Sequence, residues 1–180
     1  MSQITSGIRS ALSAPAIYNL SQNLMGARRA RTDFVTRHVR PQPGNRLLDI
    51  GCGTAQLLAY LPDSISYTGY DPSQHYVRHA RKCHGARGEF HHGLYDEAAA
   101  ARHAPFDIVI ASGLLHHMDD HEITGLLPLI TRSLAPTGRF ITVDPVYSAG
   151  QNRVARFLIG CDRGQNVRKG EEYSALMMPH

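Results

Sequence analysis

The sequence predicts an α/β fold, in which a mostly parallel sheet is flanked by helices on both faces. Short apolar runs alternate with helix-length amphipathic segments from residue 46 to residue 144. The run at 106–112 is apolar enough to be buried on both faces, which is typical of a strand inside a parallel sheet. The first run ends in Gly51 and Gly53, and this pair indicates a tight turn between a strand and a helix.

The segment before the sheet is predicted to be helical. Apolar residues recur at helical spacing within 15–25, and again within 27–39, where arginines occupy the opposite side. The residues at 41–45 contain two prolines and a glycine and are expected to form a turn.

The alternating region predicts five strands and the helices between them. We expect strands over 46–50, 66–70, 88–92, 106–112 and 139–144, and helices over 55–61, 73–83, 97–102 and 122–134. Beyond Asp144 the pattern predicts a loop and two helices, over 152–161 and 171–178. The chain therefore divides into an N-terminal helical segment at 1–45, an α/β core at 46–144 and a C-terminal helical segment at 145–180.

Composition bounds the classes of partner. The 180 residues carry 19 Lys and Arg against 15 Asp and Glu, so the net charge is +4, and 42% of the residues are hydrophobic. The excess positive charge lies mainly in one N-terminal arginine cluster without interleaved aromatic residues, which favours a solvated helix face over a nucleic-acid interface. Three cysteines without a C-x-x-C pair favour reduced thiols in a cytoplasmic protein. No apolar stretch approaches the ~20 residues that span a bilayer, so no membrane partner is expected.

The glycine turn is the main candidate ligand site. The helix predicted to follow it would direct its free N–H groups into the turn. Asp49 precedes the turn, and its carboxylate would repel a pyrophosphate but favour a ligand that carries an ammonium or sulfonium group. Gln56 stands where the dinucleotide fingerprint G-x-G-x-x-G requires its third glycine. Both residues count against an NAD-type Rossmann oxidoreductase, which remains an alternative.

The segment 47–55, Leu-Leu-Asp-Ile-Gly-Cys-Gly-Thr-Ala, resembles the first motif of the class I S-adenosylmethionine (SAM)-dependent methyltransferases. The family pattern is acidic-x-Gly-x-Gly-x-Gly, and Ala55 replaces the last glycine. The segments 67–73 and 111–118 resemble the second and fourth motifs, so the resemblance covers about 44–144. It implies SAM as cofactor and methyl transfer to O, N or C of a small-molecule acceptor. A non-catalytic methyltransferase-like binding module is a further alternative.

The resemblance also implies cofactor-binding residues. Asp71 ends the second strand, about 20 residues beyond Gly51, near the offset at which an acidic residue meets a ribose diol. Asp71 could instead cap the next helix, and Pro72 follows it in the same motif. Leu94 and Tyr95 belong to the loop that contacts adenine in the family, and Ser112 ends the strand that passes under the methionine part of SAM.

His117 is the predicted general base, because a neutral imidazole accepts a proton near pH 7. The alternative is that one of the two adjacent histidines packs the loop while the other is solvated. A base is not obligatory, since the sulfonium of SAM is already activated.

Two further sequence patterns bear on a metal site and on the edge of the sheet. His75, His79 and Cys83 recur at helical spacing and could hold zinc, but a solvated His-rich face is favoured and no metal site is predicted. The second pattern is the absence, after Asp144, of a β-rich hairpin that could supply the antiparallel strand pair with which the family usually closes its sheet. The C-terminal segment therefore looks truncated, and we expect the fifth strand to be covered by the 152–161 helix, by a second copy of the chain, or by neither.

Overall fold

The computed structural model describes residues 27–160 and 166–178. A five-stranded parallel sheet runs through it in the order β3-β2-β1-β4-β5. The strands are β1 (Arg46–Ile50), β2 (Ser66–Asp71), β3 (Gly88–His92), β4 (Phe106–Ser112) and β5 (Leu134–Val143). The predicted α/β class is confirmed, and the first four strands lie within one residue of their predicted bounds.

Helices and short turns connect the strands. The helices are α1 (Ala27–Phe34), α2 (Gln74–His84), α3 (Glu97–His103), α4 (Asp120–Ser133), α5 (Arg153–Gly160) and α6 (Gly170–Met177). A π-helical turn at Val35–Val39 extends α1, and 3₁₀ turns lie at Gln56–Tyr60 and Leu115–His117. A separate two-residue parallel pair, not predicted from the sequence, joins β6 (Val146–Tyr147) to β7 (Arg168–Lys169). The helix predicted over 15–25 lies outside the described residues.

The sheet is covered on both faces because successive strand side chains point to opposite sides. On one face Leu48, Ile50 and Val109 pack with apolar residues of α4, among them Ile123 and Ile130. The opposite face packs Leu47, Ile108 and Ile110 against Val35, Val39, Val77 and Ala80. These two apolar layers fix the carboxyl ends of β1, β2 and β4 side by side.

The helix predicted over 55–61 is wrong. The chain forms only a five-residue 3₁₀ turn there, preceded by Ala55 in the left-handed region at φ +56° and followed by Leu61 in extended conformation. Pro62 explains the extended conformation of Leu61, since a residue that precedes proline is driven out of the helical region.

β5 begins earlier than predicted. Its pairing with β4 shifts between Phe106 and Ile108, so residues 135–138, between the predicted helix and the predicted strand, join the strand as an irregularity. Gly138 permits the close approach, because a Cβ there would lie 2.7 Å from the Phe106 carbonyl oxygen.

Two apolar residues of α5, Val154 and Phe157, are 65% and 69% exposed, so neither is buried against β5. Cover of β5 by this helix stays a prediction. Among the described residues β5 pairs only with β4. Assembly of two chains through this edge stays a prediction. None of the helices in the described ranges has the length and apolar character needed to cross a bilayer.

Candidate functional site

The glycine loop, residues 51–55, is fastened to the end of β2. The N–H groups of Gly51 and Cys52 both donate to the Tyr70 carbonyl, at 2.8 and 3.0 Å. Gly51, Gly53 and Ala55 have positive φ angles of 76°, 56° and 56°. Side chains other than glycine rarely adopt such angles, so the two glycines are required by the backbone path. A Cβ at Gly53 would meet nothing within 4 Å, so the loop is open at that point.

Asp71 bonds the glycine loop from β2. Its Oδ2 accepts from the Gly53 N–H at 2.8 Å, and its Oδ1 accepts from the Ser73 N–H at 2.7 Å. The N-cap residue of α2 is Ser73, whose hydroxyl accepts from the Tyr76 N–H. The alternative interpretation of Asp71 as the helix cap is therefore wrong. A carboxylate offers about four lone-pair sites, so bonds within the chain do not by themselves prevent a diol from binding.

Asp49 lies beneath the loop and is only 3% exposed. The Tyr67 hydroxyl donates to its Oδ2 at 2.7 Å. Burial raises the pKa of Asp49 from 3.8 to about 7; the Tyr67 bond opposes this rise and the negative charge of Asp71 adds to it. Because Asp49 is buried, it could act on a ligand at the loop only through its charge and not by contact, and that charge changes near neutral pH.

Cys52 fills the space between the loop and β2. A Cβ at Gly69 would lie 2.8 Å from the Cys52 sulfur, so glycine is what lets the loop lie flat on the strand. Burial, together with the charges of Asp49 and Asp71, raises the pKa of the Cys52 thiol well above its usual range. Cys52 is therefore a packing residue and not a reactive thiol.

An apolar cavity of about 230 Å³ opens beside the loop. It brings together Leu94 and Tyr95, the two residues predicted to contact adenine, with Ile50, Leu114, Met118, Glu122, Gly125, Leu126 and Leu129. Leu94 is 59% exposed at its mouth, whereas Tyr95 is buried and its hydroxyl donates to Ser133 at 2.9 Å. Tyr95 can therefore offer only part of its ring to a ligand.

The other two predicted cofactor-binding residues, Ser112 and Pro72, lie nearby, but their contacts say less about a ligand. Ser112 is exposed at the carboxyl end of β4, in register with Val143 of β5. Pro72 is exposed after β2, and its carbonyl lies 3.2 Å from the His92 Nε2. Neither residue lines the apolar cavity.

A histidine turn, Leu115–His117, follows β4 and holds a buried hydrogen-bonded pair, His116 and Asp144. Nδ1 of His116 lies 2.8 Å from Oδ1 of Asp144, and the His116 N–H donates to the same oxygen at 3.1 Å. The Thr142 hydroxyl donates to the other Asp144 oxygen at 2.6 Å. The His116 and Asp144 side chains are 5% and 4% exposed. Sequence reasoning did not identify His116 or Asp144 as partners; the available signal was an acidic residue just after β5, the parallel neighbour of β4.

His117, the predicted base, lies beside this pair. Its ring centroid is 4.1 Å from that of His116, and its side chain is partly exposed. No contact in the structure tests whether it accepts a proton, so its role stays a prediction.

Arg168 holds the histidine turn in place by hydrogen bonds to its backbone. Its guanidinium donates to the carbonyls of Leu115 and Met118, at 3.2 and 2.9 Å, on both sides of the histidines. It also bonds Asp120 at 2.6 Å and lies over the Tyr173 ring, 5.6 Å from its centroid. The Arg168 side chain is 11% exposed. Nothing in the sequence pattern indicated this residue.

The predicted solvated face of α2 agrees with the structure. Cys83 is exposed and His79 is half-buried, and they lie 3.5 Å apart, Sγ to Nε2, with no third ligand atom near them in the described part of the chain. That this stripe holds no metal stays a prediction.

A family model and several known proteins match this chain. A family model described as a methyltransferase domain matches residues 48–140. The chain is 33% identical over 122 residues to an O-methyltransferase of Pyrenophora dematioidea, covering 64% of this chain and 45% of that protein. It is 25% identical over 133 residues to the cyclopropane-fatty-acyl-phospholipid synthase of Escherichia coli (strain K12), covering 70% of this chain and 33% of that protein.

Solved structures share the fold. The pyocyanin biosynthetic protein PhzM matches with a TM-score of 0.75 at 17% identity, covering 98% of this chain and 56% of that one. A SAM-dependent methyltransferase from Thiobacillus denitrificans, solved with S-adenosyl-L-homocysteine, matches with a TM-score of 0.58 at 22% identity, covering 81% and 60%. The chain thus spans less than half of the curated relatives and little more than half of these structures.

Proposed function

This chain belongs to the class I SAM-dependent methyltransferase domain family, and we propose that it transfers a methyl group from SAM to an oxygen atom of a small-molecule acceptor. The observation that carries the proposal is the buried His116–Asp144 pair at the carboxyl end of β4. The glycine loop and Asp71 lie at the same edge of the sheet, where open parallel sheets bind ligands. Donor and base would thus meet at one edge.

The residues around the glycine loop fit the chemical groups of SAM. Asp71 has acceptor capacity for a ribose diol, and the apolar cavity with Leu94 and Tyr95 suits a purine. Ionised Asp49 favours the positive charges of the ligand. When bound, SAM supplies a methyl group already activated on sulfur. The chain therefore has to bind, orient and exclude water, and to accept a proton where the acceptor carries one.

The His116–Asp144 pair supports an acceptor that is a hydroxyl group. A hydroxyl must lose its proton to become a good nucleophile, and a positioned histidine is the commonest base for this step. With the tautomer assigned from the Asp144 bond, Nδ1 carries the proton and Nε2 carries the lone pair. The carboxylate also stabilises the imidazolium that forms. The relative from Pyrenophora, named as an O-methyltransferase, points to the same acceptor atom.

His116 is the better-supported base because a carboxylate fixes its ring. His117 remains the second candidate, on its partial exposure beside the same pair. The two roles make opposite predictions for single substitutions, since a base lost from the reaction typically costs about 10²–10⁴ in turnover.

The test begins with calorimetric titration of SAM, and separately of NADH, into the purified chain. A panel of phenols and aliphatic alcohols is then screened for formation of S-adenosylhomocysteine. We expect SAM to bind, and His116→Ala to lose turnover with unchanged SAM affinity while His117→Ala loses only a few-fold. A larger loss in His117→Ala would make His117 the base. Binding of NADH in place of SAM would favour the oxidoreductase, and SAM binding without turnover on any acceptor would favour the binding module.

A further inference from the structure

We propose that Glu89, His91 and His103 form a binding site for a divalent transition-metal ion of the Zn²⁺ type, at the sheet edge farthest from the His116–Asp144 pair. Each of these residues offers one ligand atom, and the three atoms all lie within 4.8 Å of one another. Imidazole nitrogens with one carboxylate oxygen are a ligand set that zinc accepts. The site is independent of the proposed methyl transfer.

The secondary structure presents the three side chains to one another. Glu89 and His91 are two residues apart on β3, so they point to the same face, while Phe90 between them is buried on the other face. His103 comes from the last turn of α3, which packs over that face. All three ligands are thus carried by regular elements rather than by loops, which favours a defined geometry.

The distances are close to those that a bound ion requires. Nε2 of His91 lies 3.4 Å from Oε2 of Glu89, and Nδ1 of His103 lies 4.0 Å from the same oxygen. Two ligands at ~2.1 Å from zinc in tetrahedral geometry are about 3.4 Å apart. The His91–Glu89 pair already has this spacing, and a small movement of the exposed Glu89 side chain brings in His103.

The His91 nitrogen of the cluster is incompletely satisfied. Nε2 of His91 is buried, and although the Glu89 carboxylate lies 3.4 Å away, the geometry of that contact does not make a hydrogen bond within the described ranges. A metal bound by His91 Nε2 would satisfy that atom directly. The His91 and His103 side chains are 26% and 13% exposed, and Glu89 is 68% exposed, so an ion can enter from the Glu89 side.

The site lies next to the wall of the apolar cavity. The His91 ring stacks on Tyr70 with centroids 4.7 Å apart, and Tyr70 makes an edge contact at 5.3 Å with Tyr95 of the cavity. An ion there would tie α3 to β3 and support this wall. A ligand that binds the folded chain alone raises its thermal stability, so metal binding has a readout that does not depend on activity.

The experiment uses the full chain without an affinity tag, after chelator treatment and dialysis. ZnCl₂ is titrated calorimetrically, with MgCl₂ as the comparison ion, and melting temperature is followed with and without zinc. We compare wild type with Glu89→Gln and His103→Gln, and with His79→Gln as the control from the histidine face of α2.

We expect one saturable zinc site per chain, little magnesium binding, and a zinc-dependent rise in melting temperature. Glu89→Gln and His103→Gln should each lower zinc affinity at least about tenfold, since even losing a residue that only supports a ligand costs this much. His79→Gln should bind zinc like wild type. Folded wild-type protein without saturable zinc binding would overturn the proposal, as would loss of binding in His79→Gln with retention in His103→Gln. Because Glu89 is exposed, the Glu89→Gln variant should fold, and it still tests the proposal if His103→Gln does not fold.

Discussion

The glycine loop and the histidine turn lie at the same edge of the sheet but are held in different ways. The loop's side-chain bond comes from Asp71, 18 residues from Gly53 and at the end of the neighbouring strand. The histidine turn is bonded to Asp144, 28 residues from His116, and to Arg168, 53 residues from Leu115. One site is therefore built by a local motif, and the other by residues that only the completed fold brings together.

This difference separates the expected effects of substitution. Under the proposed function, residues that hold the glycine loop should change the affinity for SAM. Residues that hold the histidine turn should change turnover and leave that affinity alone. Variants that mix the two readouts would show that the regions do not act separately.

The largest effect is expected from Asp144→Asn. The amide cannot stabilise an imidazolium and can turn its NH₂ towards His116, so turnover should fall by about 10²–10⁴ with SAM affinity unchanged. Steady-state kinetics and calorimetry measure the two quantities. Asp107→Asn is the control, because Asp107 lies at the opposite end of β4, where it accepts from the Arg46 N–H. If Asp144→Asn lowered SAM affinity as much as turnover, the glycine loop and the histidine turn would not act separately.

Asp71→Ala should weaken SAM binding by roughly 1.5–3 kcal/mol, the range for hydrogen bonds to a charged group. This corresponds to about 10- to 150-fold in Kd, with turnover at saturating SAM little changed. Asp71→Asn keeps one acceptor oxygen and should lose less. If calorimetry finds the affinity of Asp71→Ala unaltered, the residue only holds the Gly53 and Ser73 turns.

Asp49 should make SAM binding depend on pH. With a pKa of about 7, the carboxyl is mostly neutral at pH 6 and mostly ionised at pH 8. Binding of a cationic ligand should therefore strengthen by up to about tenfold across this range, and Asp49→Asn should remove the dependence. If the SAM affinity of the wild type does not change with pH, the charge of Asp49 plays no part in donor binding.

The same pKa predicts an opposite trend for stability. Because the folded pKa lies above the unfolded value of 3.8, folding favours the protonated carboxyl. This contribution is fully present below pH 3.8 and is lost as pH rises through about 7. Denaturant unfolding should show the wild type losing stability relative to Asp49→Asn over that window.

The smallest effect is expected from Arg168→Lys. Lysine keeps the charge but cannot reach the Leu115 and Met118 carbonyls and Asp120 at once, so the histidine turn loosens. Loss of one or two hydrogen bonds predicts about a three- to tenfold fall in turnover, with SAM affinity kept. Arg156→Lys is the matched control, since Arg156 also lies over a tyrosine ring, that of Tyr147, on an exposed helix. Equal effects of the two substitutions would remove the positioning role of Arg168.

The same contrast explains what the sequence could predict. The strand over 88–92 and the spacing from Gly51 to Asp71 are local patterns, and both appear in the structure as expected. The apolar spacing of Leu57, Leu58 and Leu61 suggested a regular helix, but the chain forms a five-residue 3₁₀ turn between Ala55, in the left-handed region, and the extended Leu61.

The histidine turn shows the limit of local reasoning. The adjacent histidines were visible, but their sequence does not say which of them faces Asp144. That choice depends on the register between β4 and β5, which places Ser112 beside Val143. Arg168 could not be found at all, because it reaches the turn from β7, a two-residue strand too short to leave a pattern.

The buried carboxyl of Asp49 also couples the proposed binding and use of the methyl donor to proton exchange with the solvent. A cation above the glycine loop must lower the pKa of this group, so a proton leaves the protein when the donor binds. Methyl transfer converts a sulfonium into a neutral thioether, and Asp49 can then take a proton back. The neutral thioether product is then attracted less strongly by Asp49 than SAM was, and this favours its replacement by SAM. Heats of donor binding should accordingly vary with the ionisation enthalpy of the buffer, by an amount that counts the protons released.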